Sequence, residues 1–149
     1  CRKTYSGPLA LARDLMTFQV EKGRNSEMQT KVENFIEAYN NFDIETMTGM
    51  LHRDIVFENY TQGKKDFAVR GIPEFRGLAE KSRAVFKERR QEILNINFIN
   101  DQAEAEIVFE GVFSADTPDG MGTGDTLKLH GTSVYRFKDG LIIYLADYS

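Results

Sequence analysis

The spacing of hydrophobic and polar positions changes several times along the chain, and each change marks an element. Val32, Phe35, Ile36 and Tyr39 fall at i, i+3, i+4 and i+7, the apolar stripe of an amphipathic helix that starts near Met28. Asn40-Asn41-Phe42-Asp43 breaks this stripe, and Ile44, Met47 and Leu51 predict a second, shorter helix. Ile55-Val56-Phe57-Glu58-Asn59 then alternates as a strand, which puts Ile55, Phe57 and Asn59 on one face and an amide at the end of an apolar row. Lys64 to Arg70 predicts a loop and a short strand from Phe67 to Arg70. Gly71-Ile72-Pro73 opens a third helix, because proline in a first turn removes an N–H that has no partner there. Phe75, Leu78, Ala79, Val85 and Phe86 carry its stripe to about Arg89.

Beyond Arg90 the period is two. Leu94, Ile96 and Phe98 alternate with Asn95, Asn97 and Ile99, and Asn100-Asp101 turns the chain. Ala105, Ile107, Phe109, Gly111 and Phe113 share the face of the next strand. Thr117-Pro118-Asp119-Gly120 and Gly122-Thr123-Gly124-Asp125 predict a long hairpin loop. Leu127, Leu129, Gly131, Ser133, Tyr135 and Phe137 line one face of the following strand, opposite Lys128, His130, Thr132, Val134 and Arg136. Asp139-Gly140 is a tight hairpin signal, and Leu141 to Tyr148 is the last strand, with Leu141, Ile143, Leu145 and Asp147 sharing one face. Three helices with a short β interruption, followed by four antiparallel strands, make an α+β domain. A twisted sheet covered on one side by helices curls, and the space between it and the first helix is a natural pocket.

Composition narrows the function classes. A chain of 149 residues builds one core. Its formal charge of −4 and pI near 5.3 exclude a nucleic-acid partner, which would require a basic surface. No apolar run approaches the roughly 20 residues of a membrane span. Cys1 is the only cysteine, so neither an intrachain disulfide nor a thiolate metal cluster is available, and a cytoplasmic location is the expectation. Residues 1–26, with a helical patch from Pro8 to Met16 and the polar run Glu21 to Ser26, read as an N-terminal extension of a domain spanning 27–149. A lipoprotein or exported form anchored through Cys1 stays open. His52 and His130 lack metal-ligand spacing, and no phosphate loop, dinucleotide fingerprint or nucleophile elbow is present, so neither metal nor cofactor is expected.

Tyr39-Asn40-Asn41-Phe42-Asp43 and Leu51-His52-Arg53-Asp54-Ile55-Val56-Phe57-Glu58-Asn59 resemble the opening of the nuclear transport factor 2-like superfamily, closest to its SnoaL-like members of the polyketide-cyclase and ketosteroid-isomerase type. Arg70-Gly71-Ile72-Pro73-Glu74-Phe75 resembles that family's third helix, and Ser133 to Ile142 its closing hairpin. The resemblance covers Glu27 to Ser149. It implies a cone-shaped, curved antiparallel sheet wrapped around three N-terminal helices, the cystatin-like α+β barrel. It is unspecific for function, because one fold of this kind serves several chemistries and some non-enzymes.

By that resemblance, the positions where the steroid isomerases keep a tyrosine donor, a proton-moving acid and a second donor carry Phe35, Asn59 and Ser133. A phenyl ring cannot donate a hydrogen bond and an amide has no useful basicity, so steroid-type isomerisation is not expected. Asp147 is the remaining acid. At the end of an apolar row its pKa would be raised by desolvation, which suits an acid/base near neutral pH; epoxide-hydrolase-like relatives also place an acid on the last strand. Phe35, Tyr39, Phe57, Asn59, Ser133 and Tyr135 are the candidate ligand-binding residues around it. Two readings stand: an isomerase, cyclase or hydrolase acting on a small hydrophobic molecule, and a non-catalytic binding or interaction module. Val134, Ile142, Tyr144 and Ala146 on the outer sheet face predict a homodimer.

Overall fold

The computed structural model describes residues 8–116, 120 and 122–149, with side chains from Glu21 onward. Two α-helices, α1 (Pro8–Asn40) and α2 (Ile44–Gly49), lead into β1 (Leu51–Thr61) and β2 (Lys64–Arg70). A third helix, α3 (Gly71–Val85), precedes β3 (Phe86–Ile99), β4 (Gln102–Phe113), β5 (Thr126–Lys138) and β6 (Leu141–Tyr148). The six strands form one curved sheet in the order β2-β1-β6-β5-β4-β3. Every neighbouring pair is antiparallel except β1 and β6, which run parallel and join the two ends of the chain's strand sequence. No helix among the described residues is long and apolar enough to cross a membrane. Cys1 and most of the loop signal Thr117-Pro118-Asp119 lie outside the described residues.

The helices cover one face of the sheet. The predicted stripe of α1 is buried, with Val32 fully enclosed and Phe35 and Ile36 close behind, and it meets Phe57, Phe75, Tyr135 and Leu145 in one core. The Phe35 ring contacts Phe75 and the edge of Tyr135, at centroid distances of 6.4 and 6.0 Å. The turn after α1 is built locally: Phe42 takes a left-handed φ of 56°, and Asp43 caps α2 by accepting from the Thr46 backbone N–H at 3.1 Å. Asn40 then acts as a surrogate strand residue. Its Nδ2 donates to the Gln91 carbonyl and its Oδ1 accepts from the Gln91 N–H, at 3.1 and 2.7 Å, which pins the end of α1 over β3.

Several boundaries differ from those expected. The helix expected from Met28 is the second half of a 33-residue α1 that continues through Glu21 to Ser26 without a break. Leu51, expected on the second helical stripe, starts β1, and β2 begins at Lys64 rather than Phe67. The third helix stops at Val85, because Phe86 is extended (φ −114°) and pairs with Phe113. Gly111 makes this close approach fit: a Cβ there would sit 2.7 Å from the Phe86 ring. Arg89 therefore belongs to a strand.

Two bulges invert the expected alternation. Between Ile93 and Asn95 the register skips Leu94, which is 49% exposed while Ile93 packs on the core. Between Tyr144 and Ile142 it skips Ile143, so Ile142, expected on the outer face, is 1% exposed inside the core with Leu145. The outer face is consequently more polar than expected. Glu58 there accepts from the Tyr144 and Tyr60 hydroxyls at 2.6 and 3.0 Å, and Tyr60 stacks on Tyr148. These donors hold the Glu58 carboxyl below its usual range, and the same contact with burial pushes the Tyr144 hydroxyl up.

Candidate functional site: an acid where two cavities meet

Strand register brings the polar residues together. Asn59 on β1 lies opposite Asp147 on β6, and Asp147 lies opposite Ser133 on β5. Side chains opposite one another across a sheet are neighbours on one face, so the row Asn59–Asp147–Ser133 crosses the concave surface. Ser133 is buried, and its Oγ donates to Asp147 Oδ1 at 2.7 Å. The Asn59 amide turns to β2 instead, where its Nδ2 donates to Asp66 Oδ2 at 2.9 Å. Asp66 reaches it because the register skips this residue between Asn59 and Tyr60.

Two cavities flank this row. The first, about 210 Å³, lies between α1, α3 and the sheet, with apolar walls that include Phe35, Phe57, Phe67, Phe75 and Leu78. The second, about 230 Å³, opens toward the ends of β4 and β5 and is lined by Phe86, Ile107, Phe109, Leu127 and Leu129. Tyr39, Asn59, Gln91 and Asp147 line both, so the carboxyl stands at their junction. Apolar walls with a few convergent polar groups are the usual form of a small-molecule site.

The electrostatics follow from this position. Burial penalises the charged form of Asp147 and raises its pKa from 3.8 to about 6, partly opposed by the Ser133 hydroxyl, which favours the ionised form. The side chain remains half-buried, so the carboxyl is desolvated yet faces open space. Tyr39 and Tyr135 both keep their protons more firmly than usual, chiefly through burial, and the Asp147 charge adds to this at each. A carboxyl that changes state near neutral pH, beside two hydroxyls that do not, can give or take one proton from a bound molecule.

Most of the expected site residues share this space. Phe35, Tyr39, Phe57, Asn59, Tyr135 and Asp147 line the first cavity, and Ser133 lines the second. Arg89, Ser82 and Gln91 were not legible in the sequence. Arg89 sits in the charged run Lys87-Glu88-Arg89-Arg90, which reads as solvated surface, yet it is 6% exposed in the cavity wall. Its Nε donates to the Tyr39 carbonyl and its Nη1 to Ser82 Oγ, each at 3.0 Å. His130, expected on the opposite face of its strand from Ser133, is exposed but also lines the second cavity. No cluster of three or more histidine, cysteine or acidic side chains is placed to hold a metal among the described residues.

Comparison with known proteins places the architecture. No curated protein matches the sequence. A proposed polyketide cyclase from Xanthomonas campestris pv. campestris superposes with a TM-score of 0.68 at 23% identity, covering 85% of this chain and 92% of that one. AclR, a proposed hydroxylase from Streptomyces galilaeus, gives 0.67 at 19% identity over 82% and 87%. An LEH-like epoxide hydrolase from M. tuberculosis gives 0.67 at 21% identity over 83% and 82%. Identities this low establish a shared fold. The family description of the SnoaL-like domain matches residues 32–145, a span that begins at the buried stripe of α1 and ends two residues before Asp147. The chain belongs to the SnoaL-like domain family.

Proposed function

We propose that this protein is an enzyme that moves a proton on a small, largely apolar molecule, with Asp147 as the acid/base. The reading rests on one observation above the rest: a desolvated carboxyl, held by Ser133 Oγ, stands at the junction of two cavities. Phe35, Phe57 and Phe75 line the first cavity without filling it, leaving about 210 Å³, enough for a molecule of one or two fused rings. Ser133 orients the carboxyl, Tyr39 offers a hydroxyl from the α1 side, and the aromatic walls hold the apolar body. Isomerisation and ring closure through an enol, or hydrolysis assisted by the same acid, all fit this arrangement. Structural neighbours described as a proposed polyketide cyclase and an LEH-like epoxide hydrolase lend the reading support. A homodimer through the outer face of β5 and β6 belongs to the same proposal, supported by Val134 and by the partly exposed tyrosines Tyr144 and Tyr148.

A second reading, a binding module without catalysis, draws on the Asn59 amide being committed to Asp66 and on the phenyl ring of Phe35, which cannot donate a hydrogen bond. Deuterium uptake at the α-carbons of 2-tetralone in D2O, followed by NMR, separates the two. The expected result is catalysed exchange that falls on the order of 100-fold in Asp147→Asn. Exchange at the same rate in both proteins removes Asp147 from the mechanism; binding of the ketone without exchange favours the second reading.

A further inference from the structure

Arg89 is a buried cation without an anion. Its side chain is fixed on three sides. The Tyr39 carbonyl, in the last turn of α1, and Ser82 Oγ on α3 take Nε and Nη1. The Cζ of the guanidinium lies over the Tyr39 and Phe42 rings, at 3.7 and 4.4 Å from their centroids. Nη2 is buried and has no hydrogen-bond partner among the described residues, and Arg89 forms no ion pair with any described carboxylate. Glu88 and Arg90, its neighbours on β3, are exposed and alternate away from it.

Buried polar groups are nearly always satisfied, and buried charges are nearly always paired. A helix-end carbonyl and two aromatic faces offset part of the cost of this charge, but they supply dipoles and quadrupoles, not a counter-charge. The residue lines the same cavity as Asp147, together with Phe57, Phe75 and Leu78. A locked guanidinium with its Nη2 unspent, in the wall of an apolar cavity, is the geometry that takes a carboxylate oxygen.

We propose that Arg89 receives the carboxylate of the cavity's ligand, so that the molecule this protein takes is an organic acid with an apolar body. The inference rests on the reading that the cavity holds a small ligand, and it narrows that ligand's class. The acid group docks at Arg89, the body lies on the phenylalanine wall, and the opposite end of the molecule meets Asp147. Tyr39 and Phe42 hold the guanidinium in place, so binding needs no reordering of a flexible side chain.

Calorimetric titration of the full chain at pH 7.5 with 2-naphthoate and with 2-naphthamide tests this. The two probes share one body and differ in one charge. The expected result is naphthoate binding about tenfold or more tighter than naphthamide. In Arg89→Gln the two should bind alike, and in Arg89→Lys part of the preference should survive. Should Arg89→Gln fail to fold, the wild-type ratio and the lysine variant still decide. Equal binding of the two probes by the wild type overturns the proposal while leaving the cavity reading intact. A preference that persists in a folded Arg89→Gln also overturns it. Binding of neither probe overturns both.

Discussion

Replacing Asp147 with asparagine is expected to stabilise the protein above neutral pH, and the gain should vanish in acid. The folded carboxyl titrates at about 6 against 3.8 when unfolded, so the folded state holds the proton more tightly. Between these two values the unfolded chain binds fewer protons, and wild-type stability falls as pH rises across that window, then levels off. A shift of about two units corresponds to about 3 kcal/mol. The cavity side of the carboxyl admits solvent, which places the expected difference at about 2–3 kcal/mol. Asparagine cannot ionise, and its side-chain oxygen can still accept the Ser133 hydroxyl. Glu58 shifts the opposite way and loses stability in acid, but it is present in both proteins and cancels in the comparison. Urea unfolding of both proteins from pH 4 to pH 8 gives the difference directly. The variant should be more stable by about 2–3 kcal/mol at pH 8, with the gap closing toward pH 4. A wild type at least as stable at pH 8, or a gap that is flat with pH, would refute the claim that this carboxyl is held desolvated.

The packing claims can be tested in the same way. Phe35, 4% exposed between Phe75 and Tyr135, should cost about 3–5 kcal/mol on truncation to alanine; an unchanged melt would contradict its place in the core. Gly111→Ala should cost about 1–3 kcal/mol, because the added carbon would meet the Phe86 ring at 2.7 Å; wild-type stability in this variant would show that β3 does not begin where it is placed.

The sequence carried the fold through its periods and the site through its strand faces. Asn59, Ser133 and Asp147 sit at inward positions of three separate strands, and alternation alone puts each on the concave side. What alternation could not supply is register, which set the three side by side and brought the Ser133 hydroxyl onto the Asp147 carboxylate. The errors have a common cause. Ile143 and Leu94 are single skipped residues, and a bulge leaves no periodic trace until the partner strand is known. The change from helix to strand at Phe86 depends on Gly111, 25 positions away, so a local stripe ran on past it. Arg89 was hidden for the same reason. Its burial comes from the end of α1 and from Ser82, contacts that no local pattern encodes.

The most direct test of the site is the titration of the Asp147 carboxyl, followed by carbon-detected NMR and assigned through Asp147→Asn. Its expected midpoint is about 6, set by burial and partly opposed by Ser133. A midpoint at or below the 3.8 of a free aspartate would show a carboxyl that stays ionised at neutral pH, and would contradict its role as the proton-moving group of the cavity.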